Sequence, residues 1–352
     1  MTRDVGGFRF TSYAFDHINN GEENMKRFEA NLLATAGAVA LASIVMSAAL
    51  QPASAQKIRF MKVVPHPFAF LIPDVGVQVG IFKKHGLELD MMATRGSAKL
   101  HQAMAADSAD IGLGSGPGMG FVIRGAPEIG FIASHGAPLN IGILVTKNSR
   151  LYKKSMTIKD LKGAKIGVST SSSLTYFLAT RMAVNQGWGP KGVTPVPLGG
   201  SSANVAAAKA GNTDAFVNSV DTGFKLEEKG SARVFLSFGD YIKDFHTHVI
   251  YVTNKFRKKN PDAVRRFAKA WLESTKFVLA NKEVMIQRAM KQLKFSRAVA
   301  EKAYRIETPA FSTHGRFNAK ALSVIADGLV VTKMMKTKPD LTKAYTEEYL
   351  PK

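Results

Sequence analysis

The chain has 352 residues, of which 45% are hydrophobic and 21% charged, a balance typical of globular proteins with buried cores. Lys and Arg outnumber Asp and Glu by 48 to 27, but the basic residues are spread along the chain and accompany no nucleic-acid-binding motif. We therefore expect a solvated basic surface, with a formal net charge of +21, and no nucleic-acid partner. The absence of cysteine excludes disulfides, thiolate nucleophiles and thiolate metal sites.

The amino-terminal residues have the features of a leader and signal peptide. A positively charged Met-Lys-Arg begins at Met25, 32–50 is almost entirely small or apolar, and 51–55 ends in Ala-Ser-Ala. We expect cleavage after Ala55 and a periplasmic mature protein. An uncleaved membrane anchor is the alternative, since the apolar run approaches the roughly 20 residues that span a bilayer. Residues 1–24 are either an unusually long leader or the result of a start codon assigned too early.

After the leader, short β-rich runs alternate with helical runs, as in βαβ units with a parallel sheet. The first half is predicted to contain strands at 57–64, 87–93 and 110–113 and helices at 68–85 and 99–106. The same order returns with strands at 165–168, 193–198 and 214–217 and helices at 174–186 and 204–210. We therefore predict an α/β fold with two similar βαβ sheets.

Two further strand-like segments, 140–146 and 248–253, lie on either side of the second half. If both cross between the halves, the second lobe is inserted into the first and two hinge strands join the lobes. We expect a discontinuous first lobe formed by 56–143 and 250–352, and a second lobe formed by 144–249.

The remaining part of the chain is predicted to be helical. Pro261 and Asp262 mark a helix start, and apolar residues recur at helical spacing after them. Further helices are predicted over 317–332 and 341–350. Because the chain has by then returned to the first lobe, we place these helices there.

Four segments carry a family resemblance that covers residues 57–331. They are Gly80-Ile-Phe-Lys-Lys-His-Gly86-Leu-Glu-Leu, Ala105-Ala-Asp-Ser-Ala-Asp110-Ile-Gly, Asp160-Leu-Lys-Gly-Ala-Lys-Ile-Gly-Val168 and Pro261-Asp-Ala-Val-Arg-Arg-Phe-Ala-Lys-Ala-Trp271. In this order and spacing they resemble the nitrate/sulfonate/taurine-type, or NMT1/THI5-like, solute-binding proteins of ABC transporters.

The resemblance implies a two-lobed periplasmic-binding-protein fold of type II-like topology that closes around a small molecule and delivers it to an inner-membrane permease. We expect a monomer. Members bind chemically different ligands, so sulfonates, nitrate-like anions, aromatic carboxylates and pyrimidines all remain open. Related pyrimidine-precursor synthases share the fold but carry a cysteine-rich motif, which this chain lacks. A synthase using His66 and a pocket lysine, and a receptor that serves a sensor, are the alternative functions.

Ligands of open parallel sheets bind at the carboxyl ends of the strands, where loops meet helix N-termini. The candidate ligand-binding residues in these loops are His66, Phe68, Gly96, Ser97, Ser115, Thr170, Ser171, Ser172, Ser201 and Asn218. Hydroxyl-rich loops on both sides of a cleft suit a small polar or anionic ligand, and Phe68 or Tyr176 would cover an apolar part of it. The alternatives are ordinary: Ser and Thr before helices are common N-caps. Phe68 also fits a helix core, and Arg95 is either an anion partner or a solvated surface residue.

The sequence contains no convincing catalytic or metal motif. The glycine alternation over 112–120 fits neither a dinucleotide fingerprint nor a P-loop, and Ser115 lacks the preceding glycine of a nucleophile elbow. His246 and His248 share a strand face without a third ligand nearby. We therefore predict a binding protein without catalytic residues, cofactor or metal.

Overall fold

The computed structural model describes residues 55–65 and 67–352, which contain two five-stranded sheets. The predicted leader, signal peptide and cleavage site and the candidate ligand residue His66 involve residues outside this part of the chain. The predicted α/β class with two similar sheets is confirmed. None of the helices in the described residues combines the length and apolar character needed to cross a membrane.

The first sheet has the order β2-β1-β3-β10-β4. Its strands are β1 (Gln56–Lys62), β2 (Leu87–Ala93), β3 (Ile111–Leu113), β4 (Glu128–His135) and β10 (His248–Thr253). Strand β1 runs parallel to β2 and β3, whereas β10 runs antiparallel to β3 and β4. Because β10 reverses the chain direction, it begins at the edge where the parallel strands end.

The second sheet repeats this topology with the order β7-β6-β8-β5-β9. Its strands are β5 (Ile141–Thr146), β6 (Lys165–Val168), β7 (Thr194–Pro197), β8 (Ala215–Ser219) and β9 (Ala232–Ser237). Strand β6 is parallel to β7 and β8, and β5 is antiparallel to β8 and β9. The two predicted hinge strands thus belong to the sheets themselves, one to each. The chain passes between the sheets through 136–140 and 238–247.

Helices follow the parallel strands in both halves. Those beside the first sheet are α1 (Ile72–Gln78), α2 (Ile81–Lys84), α3 (Ser97–Ala105) and α4 (Met119–Ile123). Those beside the second are α5 (Leu174–Asn185), α6 (Ser201–Lys209) and α7 (Val220–Glu228). The predicted helix over 68–85 is broken, because Gly80 adopts φ 78°, a left-handed conformation that cannot continue an α-helix.

The carboxyl-terminal part is largely helical. Its helices are α8 (Asn254–Lys259), α9 (Pro261–Ala280), α10 (Lys282–Leu293), α11 (Arg297–Glu307) and α12 (Ala319–Val331). In α9, Phe267 and Trp271 are fully buried and pack against Phe60 of β1, with ring centroids 5.7 and 6.2 Å from it. This aromatic group packs α9 against the first sheet and belongs to its hydrophobic core.

The prediction of a helix over 341–350 was wrong. Only Leu341–Ala344 forms a 3-10 turn, after which Tyr345 pairs with Gly130 in a parallel bridge and the Thr346 N–H donates to the carbonyl oxygen of Gly130 at 2.9 Å. This hydrogen bond ties the segment to β4, and an α-helix would have to break it.

Candidate functional site

A cavity of about 470 Å³ lies where the carboxyl ends of the parallel strands of both sheets meet. Its lining consists of Val63, Val64, Pro65, Pro67, Ala69, Arg95, Ser97, Ser115, His135, Pro138, Asn140, Ile141, Ser169, Ser173, Leu174, Thr175, Leu198, Gly199, Gly200, Ser201, Ser202, Ala203, Asn204, Val217, Asn218, Ser219, Thr222, Thr247, His248, Glu307 and Ala310. Both sheets and the end of α11 contribute, so a molecule in this cavity would touch each half of the protein. The volume suits a small organic ligand.

Two helices begin at the cavity with open N-termini. Gly96 and Gly200 are the N-cap residues of α3 and α6, and among the described residues no side chain caps either helix. The first-turn N–H groups of α3 and α6 are therefore available to a ligand, and the positive ends of the helix dipoles favour an anionic group. Helix α5 differs, because Ser173 accepts a hydrogen bond from the Tyr176 N–H and caps it.

Four of the sequence-predicted ligand residues line this cavity: Ser97, Ser115, Ser201 and Asn218. The hydroxyl oxygens of Ser97 and Ser115 lie 3.4 Å apart at one side. At the other side, Nδ2 of Asn218 donates to Oγ of Ser201 at 2.6 Å. Each half of the protein thus presents a polar pair to the cavity.

Five other predicted residues, Phe68, Gly96, Thr170, Ser171 and Ser172, do not line the cavity. The Phe68 ring is fully buried and meets Tyr304 edge-on at 6.5 Å, which is the helix-core alternative foreseen for it. Gly96 and Thr170 instead touch each other across the two halves, since an ideal Cβ on Gly96 would lie 2.5 Å from Cγ2 of Thr170.

Arg95 lines the cavity and is exposed. It is the one lysine or arginine among the lining residues that the structure describes. Together with the open ends of α3 and α6, its guanidinium makes this side of the cavity electropositive.

The cavity lining also contains three buried titratable residues that were not among the predicted ligand-binding residues: His135, His248 and Glu307. Burial lowers the pKa of His248 to about 4 and, with a further contribution from His248, holds the pKa of His135 well below its usual value. Burial also raises the pKa of the Glu307 carboxyl well above its usual value, and nearby Asp221 adds to this. Near pH 7 the two histidines are therefore polar but uncharged, and ionisation of Glu307 is disfavoured.

His246 and His248 do not converge as metal ligands. His246 accepts a hydrogen bond at Nε2 from the Asn318 N–H, whereas Nδ1 of His248 lies 3.2 Å from the carbonyl oxygen of Gly114. Within the described residues, no group of three or more His, Asp or Glu side chains is arranged to hold a metal ion.

The family model described as NMT1/THI5 like matches residues 74–284. No curated protein matches the chain significantly. The fold is similar to the periplasmic aliphatic sulphonate binding protein SsuA from Escherichia coli, with a TM-score of 0.64 and 17% identity over 83% of this chain and 92% of that one. The alkanesulfonate-binding protein SsuA from Xanthomonas axonopodis pv. citri, bound to MOPS, gives a TM-score of 0.66 and 18% identity over 82% and 96%.

The desulfurization enzyme DSZB also shares the fold, with a TM-score of 0.58 and 14% identity over 84% of this chain and 97% of that one. Fold alone therefore does not separate binding proteins from enzymes in this group. The family resemblance is nevertheless confirmed, because the family model covers more than half of the sequence. The chain belongs to the NMT1/THI5-like family and has the two-sheet fold of periplasmic binding proteins.

Proposed function

We propose that this chain is the periplasmic solute-binding protein of an ABC importer and that it captures a small polar or anionic solute in the cavity between its two halves. The observation that carries the proposal is the meeting of two open helix N-termini and Arg95 at one cavity. Backbone N–H groups and a guanidinium bind an anionic group without requiring a buried charged side chain.

The two halves would act as lobes, formed by 56–143 with 250–352 and by 144–249. In this proposal a ligand that contacts both lobes stabilises the closed form, and the permease recognises that form. Ser97 and Ser115 would bind the ligand from the first lobe, and Ser201 and Asn218 from the second. The two crossings between the sheets, 136–140 and 238–247, are the places for hinge motion.

A binding function is favoured over the synthase alternative by the position of Lys62. Its ammonium is buried and donates to Oδ2 of Asp74 at 2.8 Å, and Lys62 does not line the cavity. No lysine is present among the described lining residues, so the synthase alternative has no candidate pocket lysine there.

Binding can be tested on the purified chain by thermal unfolding and calorimetry with benzenesulfonate, methanesulfonate, benzoate and nitrate. A solute that binds the folded state alone raises the melting temperature as its concentration exceeds Kd. At least one of these anions is expected to do so, and solution scattering should show a smaller radius of gyration with it. If neither these anions nor a wider panel of sulfonates and carboxylates changes melting, the proposal is wrong.

A further inference from the structure

Two histidines stand side by side in the cavity wall. His135 ends β4 and His248 begins β10, and the two residues are paired across these antiparallel strands. Their ring centroids are 5.2 Å apart with the planes nearly perpendicular. Both side chains are buried and both line the cavity. Phe311 meets the His135 ring edge-on at 4.9 Å and Phe70 meets the His248 ring at 4.7 Å, so the rings are held in place.

The hydrogen bonds around His135 determine which ring nitrogen carries the proton. Oγ of Ser134 donates to the carbonyl oxygen of His248 at 3.1 Å, which commits its only proton. Nδ1 of His135 lies 3.0 Å from the same Oγ, so with this hydroxyl orientation we assign Nδ1 as the donor in that contact. Nε2 is then left with a lone pair, is buried, and makes no hydrogen bond of good geometry among the described residues, although the nearby backbone of Ala69 favours the protonated ring.

The same reasoning applies to His248. Its Nδ1 lies 3.2 Å from the carbonyl oxygen of Gly114, which can only accept, so Nδ1 carries the proton. Since the ring is neutral near pH 7, Nε2 is again a lone pair. The paired histidines thus present two acceptors at the cavity wall.

We propose that the solute carries an N–H or O–H hydrogen-bond donor in addition to its anionic group, and that His135 and His248 accept from this donor through Nε2. The inference rests on the proposed function, because it specifies the chemical class of ligand for the same cavity. A buried acceptor without a partner is unfavourable, and a ligand donor that meets it relieves that cost. A methyl group in the same place leaves the acceptors unpartnered, so the cavity discriminates against it.

Matched pairs of probes test this inference by calorimetry. The two pairs are 4-aminobenzenesulfonate with 4-methylbenzenesulfonate, and 4-aminobenzoate with 4-methylbenzoate. Within each pair, one member carries an NH₂ donor where the other carries a methyl group of similar size. We expect the amino member of a binding pair to bind at least about tenfold more tightly. In His135→Phe, which keeps an aromatic ring against Phe311, the ratio should fall to about two. Lys99→Gln, an exposed position on α3 outside the cavity, should preserve the ratio.

The outcomes separate this inference from the proposed function. Equal affinities within the pairs, tighter binding of the methyl members, or a ratio that survives in both His135→Phe and His248→Phe would overturn the inference while leaving solute binding intact. Failure of all four probes, together with the other anions, would overturn both.

If His135→Phe does not fold, nitrogen NMR of the unsubstituted protein gives the answer. Nε2 of His135 should resonate as an unprotonated nitrogen and shift when 4-aminobenzenesulfonate is added, whereas a protonated Nε2 in the free protein contradicts the assignment.

Discussion

The backbone N–H of Phe68 donates a 2.8 Å hydrogen bond to Oδ2 of Asp221, 153 residues later in the chain. Phe68 precedes α1 beside the first sheet, whereas Asp221 lies in the first turn of α7 beside the second. Asp221 is fully buried, and burial raises its pKa. Asp221 in turn raises the pKa of Glu307 in the cavity wall. The contact between the two halves therefore contains two carboxyl groups whose ionisation is unfavourable.

Glu307→Gln is expected to stabilise the protein more at pH 8 than at pH 5. The pKa of Glu307 in the folded protein is raised well above its usual value of 4.5. At pH values between 4.5 and the raised folded-state pKa, the folded chain binds more protons than the unfolded chain. The contribution of Glu307 to the free energy of unfolding is therefore fully present below pH 4.5 and is lost as the pH rises through the folded-state pKa. Gln keeps the neutral shape at every pH. Urea unfolding of both proteins at the two pH values measures the difference.

Glu301→Gln is the matched control for this prediction. Glu301 lies on the same helix, α11, with its side chain 45% exposed beside Arg297. Its effect on the free energy of unfolding should be small and nearly the same at both pH values. An equal effect of Glu307→Gln at pH 5 and pH 8 would show that the pKa of Glu307 is not raised in the folded protein.

Gly96→Ala is expected to lower the free energy of unfolding by about 1–3 kcal/mol. Gly96 has φ 137°, and its added Cβ would lie 2.5 Å from Cγ2 of Thr170 on the other half. Adding Thr170→Ser removes that methyl group and should restore part of the loss. Gly163→Ala serves as a control for alanine at positive φ without a clash, because Gly163 has φ 74° with no atom near the added Cβ; the φ of 137° at Gly96 adds a larger backbone cost. Strictly additive effects of Gly96→Ala and Thr170→Ser would refute a direct contact.

The sequence predicted the parallel strands well, but it missed β4 and β9. Each is an edge strand with a single neighbouring strand, β10 for β4 and β5 for β9. Both neighbours are distant along the chain. Strand formation there depends on tertiary pairing more than on local pattern. The helix over 68–85 failed for a local reason, because the left-handed Gly80 interrupts an otherwise helical run.

In the candidate site, too, some residues are marked by local sequence and others depend on tertiary pairing. Ser97 and Ser201 were predictable because they follow strands and begin helices, which is information carried by neighbouring residues. The acceptor role of His135 depends on Ser134, whose hydroxyl proton is used by the backbone of His248. That arrangement exists only after β4 and β10 pair, so no local sequence signal marks it.

Arg95→Gln is expected to weaken binding of benzenesulfonate or benzoate by roughly three- to tenfold, since an exposed ion pair contributes about 0.2–1 kcal/mol and a charge-assisted hydrogen bond somewhat more. Arg95 is exposed at the cavity, so the loss should diminish as salt screens the guanidinium. Calorimetry at low and high salt measures both effects. Lys99→Gln removes the same charge from a nearby exposed position outside the cavity and should change affinity little. Equal losses in the two variants would assign the effect to overall charge.

Lys62→Met is expected to destabilise the protein by about 3 kcal/mol without changing ligand affinity. Nζ of Lys62 lies 2.8 Å from Oδ2 of Asp74, and the two side chains are only 7% and 6% exposed. Removing the ammonium leaves a buried carboxylate that retains the Gln292 amide at 3.1 Å and the more distant Arg288 guanidinium at 3.5 Å. Asp74→Asn in the same chain removes the unpaired charge and should recover part of the loss. Urea unfolding measures the stability of both variants, and calorimetry with benzenesulfonate measures the affinity. A loss of affinity larger than the loss of stability can explain would mean that Lys62 reaches the ligand, contrary to its burial outside the cavity lining.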